Sequence, residues 1–340
     1  MEKLLFIASI QYGEPPTGGG VQAKNQLILS QLQKYYQVKF FDTWNKNSIV
    51  SLLSALFLIL CFQRKTVLSI SARGALSIVY VLNLLHVHRS IYFIVPGGFF
   101  GSYVERHPKY IPVLKTFRKI LVQGHYMKSQ LNDCGLANVS VLLNCKPIGK
   151  LPFKAGGVPD VVKFVFLGRL IEDKGMELII KASQRLQKKY PEKCSVTFFG
   201  SPSEQYNKVF FDKLNNKYIA YGGFLDLKSE EGIKKLAKYD VMVFPTYFEG
   251  EGFPGVLIDA FKAGLPVIAS DFHANPEVVS SESFGKLIKV NDVESLELAM
   301  EEFITHPMMI KEKARAVQQE VLRYDISEIL SKDNLRSLLN

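Results

Sequence analysis

Arg169 and Lys174 stand five positions apart in Phe166-Leu167-Gly168-Arg169-Leu170-Ile171-Glu172-Asp173-Lys174-Gly175, where a β-rich apolar run gives way to a helical one. At the end of a strand and the start of a helix, a guanidinium and an ammonium can converge on one anion, and Gly168 and Gly175 let the backbone turn. A plain surface Arg and Lys is the alternative. Glu251 and Asp259 lie eight positions apart in Glu251-Gly252-Phe253-Pro254-Gly255-Val256-Leu257-Ile258-Asp259, the first in a Gly-rich turn and the second on the helix that follows. Both can face one pocket. Carboxylates there accept hydrogen bonds from sugar hydroxyls, and the backbone of Gly252, Phe253, Pro254 and Gly255 offers amides for a phosphate or sugar oxygen. Acids so spaced also cap helices or bind metals, although capping accounts for one acid and not for both. A third constellation, Gly18-Gly19-Gly20, precedes a helix from Val21, so that amides and a helix N-terminus favour a phosphate. It lacks the GxGxxG spacing of a nicotinamide-binding turn, and taken alone it reads better as a flexible loop.

These residues need a scaffold that brings strand ends together. Strands are expected at 3–9, 38–41, 67–70, 91–95, 120–122 and 139–143, with helices at 21–35, 48–62, 75–85, 110–119 and 126–134 between them. Strand, helix, strand in that rhythm implies a parallel sheet covered on both faces. Residues Asn144 to Val162 break it with Pro147, Gly149, Pro152, Gly156, Gly157 and Pro159, the composition of a hinge. Afterwards the alternation restarts, with strands at 164–167, 196–199, 219–221, 241–244 and 267–269 and helices at 175–189, 229–238 and 255–263. The expected architecture is α/β with two doubly wound Rossmann-like domains, 1–150 and 151–324, facing a central cleft. A helix over 325–340 packs back on the first.

Composition agrees with this and narrows the partners. A chain of 340 residues, 47% hydrophobic, is too long for one core and too apolar for disorder. Its four cysteines, Cys61, Cys134, Cys145 and Cys194, show no metal-ligand or disulfide spacing, which suits a reducing cytosol. The opening apolar run reads as a strand rather than a signal peptide. The longest, Ile49 to Phe62, is shorter than the ~20 residues a membrane span needs and reads as a buried or interfacial helix. Charge is lopsided: residues 1–155 hold 18 Lys and Arg against 5 Asp and Glu, while 156–340 hold 24 against 27. A field so one-sided points to an anionic partner. No recognition helix or ribonucleoprotein signature supports nucleic acid. Between His107 and Lys128, the cations Lys109, Lys115, Arg118, Lys119 and Lys128 interleave with apolar residues, as on a helix lying on an anionic bilayer; an ordinary amphipathic helix is the alternative.

Together, Arg169 to Lys174, the Glu251 to Asp259 pair and the following Ala263-Gly264-Leu265-Pro266-Val267-Ile268-Ala269-Ser270 resemble retaining nucleotide-sugar glycosyltransferases of GT-B fold, in glycosyltransferase family four. The likeness is close over the second half and loose over the first. It implies sugar transfer from a nucleoside-diphosphate donor, UDP- or GDP-linked, to a hydroxyl of a lipid-linked or free glycan, with the anomeric configuration kept. In that family Arg169 and Lys174 would clamp the diphosphate, Glu251 would contact the sugar and Asp259 the ribose. Gly19 and Gly20 would approach the phosphates from the other domain. The family usually carries Glu where Asp259 stands, and a His near the transferred sugar where this chain has Pro96-Gly97-Gly98-Phe99-Phe100, as some capsule and exopolysaccharide enzymes do. None of His86, His88, His107, His125, His273 and His306 is therefore assigned to catalysis; they read as surface or capping residues. With side chains and a helix terminus supplying positive charge and no DxD-like motif at a strand end, no metal and no cofactor are expected, and the basic first half suits a place on the inner face of the cytoplasmic membrane. The alternative is a non-catalytic sugar-nucleotide or glycan-binding partner subunit of a glycosyltransferase.

Overall fold

The computed structural model describes residues 1–11, 20–61, 65–87, 89–152, 157–214 and 216–340. The chain divides into two compact units, Met1–Asn144 with Ile326–Asn340, and Cys145–Asp325. The segment read as a hinge therefore opens inside the second unit. There Ile148 N donates to Asp325 Oδ2 at 3.0 Å and Gln318 donates to the Pro152 carbonyl at 3.0 Å, which ties Cys145 to Pro152 down.

In the first unit β1 (Lys3–Ala8), α1 (Gly20–Tyr35), β2 (Gln37–Asp42), α2 (Ser48–Cys61), β3 (Lys65–Ser69), α3 (Ala72–Leu84), β4 (Ile91–Ile94), α4 (Phe100–Arg106), α5 (Ile111–Leu114), β5 (Lys119–Val122), α6 (His125–Asp133) and β6 (Val139–Val141) alternate. The strands form one parallel sheet in the order β2-β1-β3-β4-β5-β6. Its inner strands are buried on both faces, which is why they read as unbroken apolar runs. Asn25 on α1 joins the ends of β1 and β3: its amide donates to the Ser9 and Ser69 carbonyls at 3.0 and 3.1 Å and accepts from Ser69 Oγ at 2.6 Å.

The helix expected over 110–119 is a correction. Pro108 and Pro112 confine it to one short turn, α5, after which Asn138 donates to the Leu114 and Phe117 carbonyls at 3.0 and 2.8 Å and β5 begins. Arg118 and Lys119 are directed to the chain's last turn, bonding the Asn340 carbonyl at 2.9 Å and the Ser337 carbonyl at 2.8 Å. The stretch is therefore no amphipathic surface helix. α4 was missed because its Gly97-Gly98 approach reads as loop.

The second unit runs β7 (Val162–Leu167), α7 (Met176–Lys189), β8 (Cys194–Phe199), α8 (Lys208–Lys213), β9 (Ile219–Gly223), α9 (Glu230–Leu236), β10 (Val241–Phe244), α10 (Gly255–Lys262), β11 (Val267–Ser270), α11 (Asn275–Val278), β12 (Gly285–Ile288), α12 (Val293–Thr305) and α13 (Met308–Glu320). Its parallel sheet is ordered β12-β11-β10-β7-β8-β9. The chain starts in the middle at β7, winds outward through β8 and β9, then crosses to β10 on the other side. Strand order reverses between β7 and β10, and in open α/β sheets ligands bind outside the carboxyl ends at that reversal.

The last helices, α14 (Ile326–Ile329) and α15 (Lys332–Leu338), return to the first unit. Leu330, Leu335 and Leu339 line a small apolar cavity together with Ile28, Leu32, Ile94 and Leu121, and Tyr92 OH donates to the Leu339 carbonyl at 2.6 Å. Leu335, 4% exposed, is a core residue by this packing. Leu335→Ala is expected to cost about 2–5 kcal/mol. Urea unfolding checks this; an unchanged midpoint would detach α15 from the folded core.

Candidate functional site

The loops leaving β7 and β10, the two strands at the reversal, carry the residues singled out by type and spacing. Arg169 follows β7 by two positions and is exposed, with its guanidinium 5.0 Å from the centre of the Phe248 ring. Lys174 closes a short 3-10 turn over Glu172–Lys174 and is buried; its ammonium lies 5.0 Å from the other loop's same Phe248 ring and 5.3 Å from Phe244. Lys174 Nζ forms an ion pair with the carboxylate of Glu251, whose side chain is 13% exposed. Two cations and one acid thus gather around a single aromatic ring.

Backbone and hydroxyl contacts fix that arrangement. Tyr247 N donates to the Asp173 carbonyl at 2.8 Å, and Glu251 N donates to the Phe248 carbonyl at 2.8 Å, closing the turn that carries the acid. The buried Thr246 hydroxyl lies 3.4 Å from both the Asp173 carbonyl and Glu251 Oε2. A third loop, after β11, adds His273: its Nδ1 donates to the Glu251 carbonyl at 3.1 Å, and its ring stacks on Phe272 with centroids 3.8 Å apart. A carbonyl can only accept, so Nδ1 carries the proton there.

Gly175 is the residue on which the close approach of the two loops depends. It sits at φ 80°, and a Cβ there would fall 2.5 Å from the Pro245 carbonyl oxygen. Gly175→Ala combines left-handed strain with that collision, so about 2 kcal/mol or more is expected, a fall in Tm of roughly 4–8 °C. Calorimetry on the variant checks it; an unchanged Tm would mean the loops separate without cost.

Asp259 occupies a different place. It is 3% exposed, and its carboxylate is paired with Lys146 from the segment that opens the second unit. Burial pushes its carboxyl above the usual carboxylate range, with Lys146 and Lys262 opposing the rise. Lys262, one turn on, donates to the Pro147 carbonyl at 2.9 Å, and burial holds its amine below the ordinary lysine value.

Residues 150–320 match the family model of glycosyl transferases group 1. The chain belongs to that family. Over 137 residues it is 33% identical to an uncharacterized glycosyltransferase of Methanocaldococcus jannaschii, covering 40% of this chain and 34% of the relative. Over 119 residues it is 30% identical to the capsular polysaccharide biosynthesis glycosyltransferase CapH of Staphylococcus aureus, covering 34% of this chain and 32% of the relative. Matches to the first curated relatives span 32% to 54% of those proteins' length. Among solved structures, HepE of Anabaena in complex with UDP and glucose superposes with a TM-score of 0.73 at 15% identity, covering 99% of this chain and all of that one. The fold is GT-B, with two Rossmann-like domains.

Within this group 1 chain the structure brings Arg169, Lys174 and Glu251 together around Phe248. Asp259, to which the resemblance gives the ribose, is paired with Lys146. The Phe253 ring turns into the core against Tyr324, centroids 5.9 Å apart, and its part in the turn is its backbone amide. Pro254 is buried and has no N–H, so amides in that turn come from Gly252, Phe253 and Gly255. Pro254 precedes α10, whose N-terminus no side chain caps. Gly20 is the first residue of α1, with no atom of the described residues within 4 Å of where a Cβ would stand. Gly18, Gly19 and His88 lie outside the described residues. Thr246, Phe248 and His273 were not assigned from sequence. The signal for His273 was available, since it follows a strand recognised as such and so shares an edge with Glu251.

Proposed function

We propose that this chain is a retaining glycosyltransferase that moves a sugar from a UDP- or GDP-linked donor to a hydroxyl of a lipid-linked glycan, in capsular, exopolysaccharide or similar cell-surface glycan synthesis. One observation carries the reading: Arg169, Lys174 and Glu251 converge at the strand reversal of the second unit. The likeness to CapH supports the capsular assignment, and HepE, solved with UDP and glucose, supports a nucleotide sugar as donor.

Cleaving an anomeric bond to a diphosphate builds negative charge on the departing phosphate and oxocarbenium character on the sugar. Cations already fixed beside that phosphate lower the barrier without reorganising. Arg169, exposed at the loop tip, meets the phosphate oxygens. Lys174 adds a second charge from a buried position, where its field is screened less. The uncapped N-terminus of α10 contributes amides from the same turn. Glu251, held against Lys174 and oriented through its own backbone by His273 and Phe248, accepts hydrogen bonds from the sugar hydroxyls. Neutralisation by these groups requires no metal ion. The phosphate oxygen leaving the sugar takes the acceptor's proton on the same face, which keeps the anomeric configuration. The acceptor's anionic head suits the first unit, where the positive charge lies, and places the chain peripherally on the inner face of the cytoplasmic membrane.

A thermal-shift panel of UDP-, GDP- and ADP-sugars tests the donor. A matching sugar nucleotide at a hundred times its Kd adds about 2.7 kcal/mol of stability. UDP- or GDP-sugars are expected to shift Tm, and a flat panel contradicts the reading. The anomeric proton coupling of the product, read by NMR, tests retention: inversion overturns that part alone.

A further inference from the structure

The membrane-side part of the proposed function, on which this inference rests, leaves open which surface meets the lipid. We propose that the exposed face of α2, continued by that of α3, lies in the interface of an anionic bilayer.

From Asn47 to Gln63 the sequence has no charged residue, and of the fourteen residues of α2 only Ala55 and Ile59 are buried. Leu52, Leu56 and Leu58 pack part-buried against the core. The opposite stripe is Ile49, Val50, Leu53 and Phe57, exposed by 68%, 55%, 61% and 65%. Recurring at three and four, these positions share one face, and on a helix in water that face carries charge. α3 packs beside α2 and adds Tyr80 and Leu84, 60% and 67% exposed, seven and eleven positions after the exposed Arg73. Apolar stripes on neighbouring helices make a patch, and patches of this kind mark contact surfaces.

The occupant follows from length and charge. α2 is about 21 Å long, short of a ~30 Å hydrocarbon core, and no described helix is long and apolar enough to cross a membrane. It suits lying in the interface rather than spanning. The unit that carries it holds 17 Lys and Arg against 7 Asp and Glu, so all of the chain's net +10 resides there. Lys46 precedes α2, Arg64 follows it in sequence, and Arg73 opens α3. An uncharged apolar face bracketed by cations is complementary to anionic lipid. A second copy would bring a like-charged unit against it instead.

The test uses the full chain and co-sedimentation with vesicles of phosphatidylcholine alone or mixed with phosphatidylglycerol. Wild type is expected to bind the mixed vesicles, less so at high salt, and Leu53→Gln/Phe57→Gln to bind at least about tenfold more weakly. The nucleotide-sugar thermal shift should be unchanged, because neither residue is in the unit that holds the donor site. Equal binding by wild type and variant overturns this face while sparing the membrane reading. No binding by wild type, with a normal thermal shift, overturns both and leaves the transferase reading standing. A wild-type dimer that the variant makes monomeric, without vesicle binding, makes the face a self-interface and overturns the proposal. Should the variant not fold, Phe57→Trp in a Trp44→Phe background reports instead: brominated lipid is expected to quench its only indole, and an unquenched signal with vesicles bound overturns the placement.

Discussion

Lys174→Ala is expected to lower release of nucleoside diphosphate by about a hundredfold or more, the usual cost of deleting one fixed donor to developing charge. The same change strips Glu251 of its counter-charge in a site where acid and base are 13% and 9% exposed, so stability should fall by about 3 kcal/mol as well. Two further variants separate the effects. Lys174→Ala/Glu251→Gln removes the orphaned charge and should recover most of the stability with none of the turnover, as a double-mutant cycle over one contact requires. Arg169→Ala, at an exposed position, should lose about as much turnover with Tm unchanged. Turnover at constant folded fraction is the measurement; Arg169→Ala at wild-type rate would remove the clamp from the account.

Asp259→Ala is the second large effect, and it falls on stability rather than donor binding. The substitution leaves Lys146 and Lys262 with no acid between them, one side chain 30% exposed and the other anchored to the Pro147 carbonyl. About 3 kcal/mol is expected, at the low end for breaking a buried pair because Lys146 reaches water. In a unit of this size that is a Tm lower by roughly 6–12 °C. Asp259→Asn keeps the shape and an acceptor, so it should cost less. Donor KM should stay near wild type in Asp259→Asn if the acid is structural; a large rise in KM at unchanged Tm would give it the ribose role.

What could be read in advance followed from local physics. β7, β10 and α10 are punctuated by Gly168, Gly175, Pro254 and Gly264, and the apolar runs between are long enough to assign, so the loops holding Arg169, Lys174 and Glu251 were placed from sequence alone. β12 was not: four residues, Gly285 to Ile288, of mixed burial carry too little alternation to register. The stretch after His107 misled because cations interleaved with apolar residues look amphipathic whether the wet side faces solvent or, as for Arg118 and Lys119, the chain's own last turn. The pairing of Asp259 was illegible for the same reason at longer range. Its partner Lys146 is 113 positions away, and no local pattern announces a contact of that separation. The apolar run of α2 was legible as a helix, but whether Phe57 faces core or solvent is decided by its neighbours in space.

The central claim is that Arg169 and Lys174 draw the diphosphate off an activated sugar held by Glu251. Its most direct test is the incubation of pure protein with a radiolabelled nucleotide sugar and a membrane lipid extract, following label and free nucleoside diphosphate together. Label entering the lipid fraction in step with release of diphosphate by wild type, and about a hundredfold more slowly in Arg169→Ala, is the predicted result. Donor that binds and shifts Tm yet stays intact through prolonged incubation would contradict it, and would make the chain a nucleotide-sugar-binding partner instead.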